Sequence, residues 1–230
     1  MNWVLVCVVM IVVVCVGLGW HAGFIKSVFH LCSFVAALLL AALFAPVAAN
    51  FLTAQDSLMD HLSEKVYETL RLEEMDHLIT AAEEDIEKLD IPDAIKDELL
   101  KQNTSENYEK LGVTNAGAYV SRTMAMIIVR CFSYLAVFLV ALICLFILCN
   151  TLDLISKIGF LDSVNKLAGA GIGLLEGAVI IAVLMAQLTA LSSTDIGKSA
   201  MEMIADNAFL SYIYSHNPLN LSILNLSGKF

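Results

Sequence analysis

The side chains in this chain that could attack a substrate, hold a metal or carry a proton are six cysteines, five histidines and a few isolated charges. Nucleophilic chemistry needs a serine or cysteine beside a base, and metal chemistry needs several ligands at helix or loop spacing. Cys7, Cys15, Cys32, Cys131, Cys144 and Cys149 all lie in apolar stretches, and no two have the spacing of a zinc site. They read as small apolar fillers. His21 and His30 flank Lys26, whereas His61, His77 and His216 are scattered, and no His-Glu-x-x-His pattern occurs. No serine sits in a Gly-x-Ser-x-Gly elbow. The expectation is a protein with no catalytic, cofactor-binding or metal-binding residues, and not an enzyme.

Two ionisable residues interrupt otherwise apolar runs, Arg130 and Glu176. Such a group at the centre of a bilayer costs about 2.5–3.5 kcal/mol even on the lenient insertion scale, so each needs a partner or a purpose. With a helical rise of 1.5 Å per residue, Arg130 lies about 10 Å from one end of its helix. Glu176 lies about nine residues from the opposite end of its own, which leaves an axial gap on the order of 7 Å in a ~30 Å core. Long side chains span such a gap, so the two are a candidate intramembrane polar pair or proton relay. The alternative is that Arg130 snorkels to the interface while Glu176 faces water or another polar group.

The most patterned stretch is Asn165-Lys-Leu-Ala-Gly169-Ala-Gly171-Ile-Gly173-Leu-Leu-Glu-Gly177. Gly169, Gly173 and Gly177 recur at every fourth position, which on a helix makes one stripe. In lipid, small residues let two helix backbones approach, so the stripe reads as a packing surface. A phosphate cradle is the rival reading. It lacks the preceding strand and the following Gly-Lys-Ser/Thr that such a loop needs. Gly19 and Gly23 share the spacing, but in Gly17-Leu-Gly-Trp-His-Ala-Gly23 they read as a turn.

These residues need elements to hold them, and composition says which. Of the 230 residues 59% are hydrophobic and 16% charged, against about 45–50% and 25% for a soluble domain. The excess asks for an apolar solvent. A run from Trp3 to Val16 carries no charge, no basic n-region and no A-x-A-like cleavage site, so it reads as an uncleaved span. A second run, Ser27 to Ala49, is rich in Ala and Leu, with Pro46 marking an exit or a kink. A third runs from Met124 to Asn150 and a fourth from Leu167 to Leu191. The fold class is all-α: a membrane protein of four transmembrane helices in two hairpins, 1–50 and 123–191, with an acidic helical insert over 51–122 and a tail over 192–230.

The insert is chemically distinct. Between Phe51 and Arg122 there are 17 Asp and Glu against 7 Lys and Arg, which accounts for the whole formal charge of −10. Leu58, Leu62, Val66, Leu70, Leu78, Ala82, Ile86 and Leu89 recur every three or four residues, the pattern of an amphipathic helix. Ile91-Pro92-Asp93 interrupts it, and a short helix follows from Pro92 to Lys101. Asn103-Thr-Ser and Gly112-Val-Thr-Asn read as loops. The segment is expected to be a solvated helical hairpin outside the membrane, with a protein partner docking on its helices as the sharper alternative. Its acidity excludes nucleic acid as a partner. Lys26, Lys157 and Lys166 lie in the two short connections, which predicts those in the cytoplasm, with the insert and both termini outside.

The opening helix followed by Gly-Leu-Gly-Trp-His-Ala-Gly-Phe-Ile-Lys, together with Leu161-Asp-Ser-Val-Asn165-Lys-Leu-Ala-Gly169 before a glycine-striped last helix, resembles the colicin V production (CvpA) family. The likeness covers the two helical pairs, about 110 residues, and Asn217-Pro-Leu219 is similar to longer members. The resemblance implies a bacterial cytoplasmic-membrane protein of about four helices, tied to colicin V (toxin) production or export and to cell-envelope upkeep, with no catalytic residues. The large insert and the long tail depart from the shorter members. Three functions follow in order: a non-enzymatic accessory or scaffold factor, a subunit of a homo-oligomeric channel or transporter, and, with no motif behind it, a membrane enzyme.

Overall fold

A computed structural model describes residues 2–75, 82–151, 162–217 and 219. Among them every regular element is a helix: α1 (Trp3–Thr53), α2 (Asp56–Leu70), a 3-10 turn (Leu72–Met75), α3 (Ala82–Lys88), α4 (Asp93–Lys101), α5 (Ser105–Leu111), α6 (Ala116–Thr151), α7 (Asp162–Ala190), α8 (Asp195–Ala205) and α9 (Ala208–Ser215). His77, Leu78, Lys157 and Pro218 lie outside the described residues, as does most of the connection between α6 and α7. Among the described residues three helices, α1, α6 and α7, are long and apolar enough to cross a membrane. The sequence reads four runs because α1 contains two of them. Its 51 residues would make a rod of about 76 Å, more than twice a ~30 Å hydrocarbon core.

The helix divides at Gly23, whose φ of 76° and ψ of 169° are not helical. A side chain there would meet the following carbonyl, so glycine takes the angle at least cost. The chain folds back at this point. The buried Ser27 hydroxyl donates to the Gly19 carbonyl over 3.3 Å, whereas residues eight apart on a straight helix stand about 12 Å apart along the axis. Pro46 does not end the second arm, which continues to Thr53. Loss of one helical hydrogen bond is tolerated in apolar helices where neighbours and local adjustments satisfy the freed carbonyl.

The described contacts fall into two compact units, 1–46 with 133–184 and 47–132 with 185–230. In the first, Ala37 and Ala41 present a small-residue face four residues apart, and Phe34 and Phe138 meet edge to face at 5.2 Å beside them. The Tyr134 hydroxyl donates to the Leu38 carbonyl over 3.3 Å. Since Phe34 meets Phe138 and Leu38 meets Tyr134, the second arm of α1 and α6 run antiparallel.

The second unit has its own apolar core of Val66, Leu72, Ile86, Ile95, Leu99, Tyr119, Val120 and Met124, each almost wholly buried. This differs from one solvated amphipathic hairpin. Arg71, in the left-handed region at φ 52°, ends α2, and the chain turns through the 3-10 helix. Val66 and Ile86 of the sequence pattern lie in the core, while Leu70 and Leu89 pack partly buried against it. The residues read as loops are the two caps of α5. The Thr104 hydroxyl accepts from the Asn107 amide over 3.4 Å, and Gly112 closes the helix in the left-handed region at φ 65°.

The first half of α6 also belongs to this core. It begins at Ala116, eight residues before the apolar run that reads as a span, and Tyr119, Val120, Met124, Ile127, Ile128 and Cys131 are buried against the short helices. Its first large exposed apolar side chain is Phe132. On α7 the last is Leu184, after which Met185, Ala186, Gln187, Thr189 and Ala190 are buried. Both long helices change surroundings part-way along, from a surface of exposed apolar side chains to a packed protein core.

Candidate functional site

The two stretches that carry the family resemblance meet in the first unit. Gly169, Gly173 and Gly177 face the first arm of α1. A Cβ on Gly169 would land on the Gly19 carbonyl oxygen and 2.7 Å from the Gly23 carbonyl carbon. On Gly173 it would strike the Cys15 carbonyl, and on Gly177 it would sit 3.3 Å from Cys15 Cβ. Rising numbers on α7 meet falling numbers on the first arm, so these helices are antiparallel and in backbone contact. Gly171, between two stripe members, has open space where its Cβ would be.

Gly19 therefore does more than make a turn, because it is the counterpart of Gly169. A Cβ on Gly19 would in turn strike the Gly169 carbonyl. Asn165 has a role that spacing alone does not reveal. Its Oδ1 accepts from the Phe24 amide over 2.9 Å, so a side chain from α7 caps the first turn of the second arm, where helix amides lack partners. The turn Gly19–Gly23 and the start of α7 are thereby locked together at one end of the unit.

Beside this seam lies an open cavity of about 700 Å³ lined by both arms of α1 and by α7. Met10, Ile11, Val14, Leu18 and Ile180 make its apolar walls, and His21, Lys26, Ser27, His30 and Glu176 are its polar members. Glu176 stands one residue before the stripe glycine that touches Cys15. Glu176 is within electrostatic reach of His30 and of Cys15. The sequence singles out Glu176 as a charge in an apolar run but does not connect it to His30, because the connection passes through the fold-back at Gly23.

Arg130 falls in the second unit and Glu176 in the first. The acid acting on Arg130 within its own unit is Glu98 on α4, which is 7% exposed and held by the Gln102 side-chain amide. Nearby, the Cys131 thiol bonds the Gln187 side-chain oxygen. Tyr108 and Tyr119 stack at 4.7 Å, and the Tyr119 hydroxyl donates to the Leu99 carbonyl over 2.9 Å. Burial raises the Tyr108 phenol above its ordinary range. Among the described residues no three His, Cys, Asp or Glu side chains are grouped as a metal would require.

A family model of the colicin V production protein matches residues 6–71 and 109–218. The chain belongs to that family. The match takes in both arms of α1, the glycine seam, the groove and the tail as far as residue 218, so it extends well beyond the two helical pairs that carry the resemblance in the sequence. Residues 72–108 fall outside it. That segment holds 12 Asp and Glu against 3 Lys, so the matched part is nearly neutral and most of the acidity lies outside it. No curated protein and no solved structure is significantly similar to the chain.

Proposed function

We propose that this colicin V production family protein is a four-span, non-enzymatic scaffold of the bacterial cytoplasmic membrane, serving toxin export and envelope upkeep through a helical domain on the extracytoplasmic side. The observation that carries the reading is the change of surroundings along α6 and α7. Residues 132–151 and 163–184 expose Phe132, Leu139, Ile143, Phe146, Leu167 and Leu174, and at about 1.5 Å per residue each stretch covers a ~30 Å hydrocarbon core. The fold-back at Gly23 supplies two more spans, 3–22 and 24–50. On this reading an even number of crossings leaves the acidic insert, 51–122, and the tail, 192–230, on the side of the N-terminus.

Orientation follows from the Asn165 cap. It brings the Gly23 turn and the start of α7 to one end, so Lys26 and Lys166 share that end with the exposed Trp20. A cationic, aromatic rim of this kind suits the cytoplasmic face. A seam of backbone packed on backbone favours a static anchor. The exposed acids Glu83, Glu84, Asp93, Asp97 and Glu106 then form the surface a basic protein partner would bind. Cysteine accessibility tests the layout. A cysteine replacing Lys26 should react only with reagent from the cytoplasmic side, and one replacing Glu109 only from outside; labelling of both from one side would sink the four-span arrangement.

A channel subunit is the second reading, and the observation favouring it is the charged groove beside the seam. Four spans are few for a solute path, so this version requires a ring of copies. Crosslinking in lipid separates the two. A monomer or dimer without solute flux supports the scaffold, and a closed ring with flux supports the channel.

A further inference from the structure

We infer that Glu176 is a proton-exchange site, loaded from the hairpin end of the first unit through the groove, with His30 as the relay. The inference rests on the membrane placement of that unit and is independent of the scaffold role.

Depth is the first part of the argument. The Phe24 amide and Asn165 side chain meet at the turn, so positions on both helices can be measured from it. Glu176 is eleven residues further along α7, about 16 Å at helical rise, which is half of a ~30 Å core. His30 is six residues past Phe24, about 9 Å deep, and Lys26 and His21 lie within a turn of the interface. The polar members of the cavity therefore form a ladder of increasing depth that ends on a carboxyl group near mid-bilayer.

Chemistry is the second part. A carboxylate at that depth cannot be hydrated as in water, so it is stable either as the neutral acid or beside a cation. The groups facing it come from each neighbouring element. Cys15 lies on the first arm, and His30, then Lys26 and His21, lie around the turn. Among the described residues, α6 carries no charged side chain over 133–151. Of these groups His30 is the one whose charge acts on Glu176, and an imidazole ring can both give and take a proton. In the exchange a proton passes from the imidazolium of His30 to the carboxylate of Glu176, directly or through water in the cavity. Neutral imidazole and neutral acid result, and His30 is then reprotonated from the cytoplasmic solution. No other bond changes.

The test uses the full-length protein in liposomes and dicyclohexylcarbodiimide, an apolar reagent that adds to protonated carboxyl groups in a membrane. One adduct should form, on the peptide containing Glu176, and Glu176→Gln should abolish it. Labelling should fall as pH rises, about tenfold per unit beyond the midpoint. His30→Ala should carry labelling to higher pH, since the charge acting on Glu176 is gone. Absence of any adduct, while a water-soluble carbodiimide labels the exposed acids of 83–109, would overturn the proton site. Labelling of Glu176 equally well by the water-soluble reagent would overturn the membrane placement instead. An unchanged pH profile in His30→Ala would remove the relay. Because the adduct is mapped on the wild-type protein, poor folding of either variant does not shelter the inference.

Discussion

Gly173 and Gly171 stand two residues apart on α7 and should respond in opposite ways to added volume. A Cβ at Gly173 strikes the Cys15 carbonyl, which is backbone and cannot swing aside. Gly173→Val should separate α7 from the first arm and cost about 1–3 kcal/mol, the usual range for overpacking. Gly171→Ala meets nothing, and replacing a mid-helix glycine stabilises by about 0.5–1 kcal/mol. Thermal unfolding in detergent should show a lowered transition for the first variant and an equal or raised one for the second; equal losses would mean the stripe is not the contact. The period-four stripe was legible in the sequence because helical geometry turns spacing directly into a face. Gly19, Asn165 and His30 were not, since each acts through a residue far along the chain, and one sequence carries no record of which distant residues meet.

At the scale of elements, legibility depended on whether a helix's surroundings could be inferred from its composition. The apolar runs of α1, α6 and α7 are visible as hydropathy, but the boundary at which α6 leaves a protein core and enters an apolar-exposed stretch is not. Met124 to Val129 look the same whether lipid or protein covers them, and here protein does. The non-helical turns on either side of α5 were legible at Thr104 and Gly112, which mark helix ends and loops alike, but the short helix between them was not. The packing between α4 and α6 can be tested at Tyr119. Its hydroxyl serves the Leu99 carbonyl, one of the last carbonyls of α4 and so without a helical donor. Tyr119→Phe keeps the stack on Tyr108 but strands that carbonyl, which should cost about 1–3 kcal/mol. Hydrogen exchange should quicken in α4 and α5 while the glycine seam of α1 and α7 stays protected; a uniform rise would show that the two units do not respond separately.

For the whole molecule, the family match and the core give different answers about what is dispensable, and a deletion decides between them. Residues 72–108 lie outside the match and carry most of the acidic charge, so by family logic they are an ornament on a shared membrane protein. Physically they are not. Leu72, Met75, Ile86, Ile91, Ile95, Leu99 and Tyr108 are buried residues of the second unit's core, and their removal would uncover Tyr119, Val120 and Met124 on α6. Burying a large apolar side chain stabilises by about 1.5–3 kcal/mol, so losing seven such partners removes at least as much as the whole stability of a typical small unit, about 5–15 kcal/mol. Replacing 72–108 by a short Gly-Ser linker should therefore leave the protein inserted, with Glu109-side residues still labelled from outside, yet make residues 109–131 and 195–215 sensitive to protease. Protection equal to that of the parent would mean that the shared segments build this unit unaided and that the acidic helices are a late cover on a complete core.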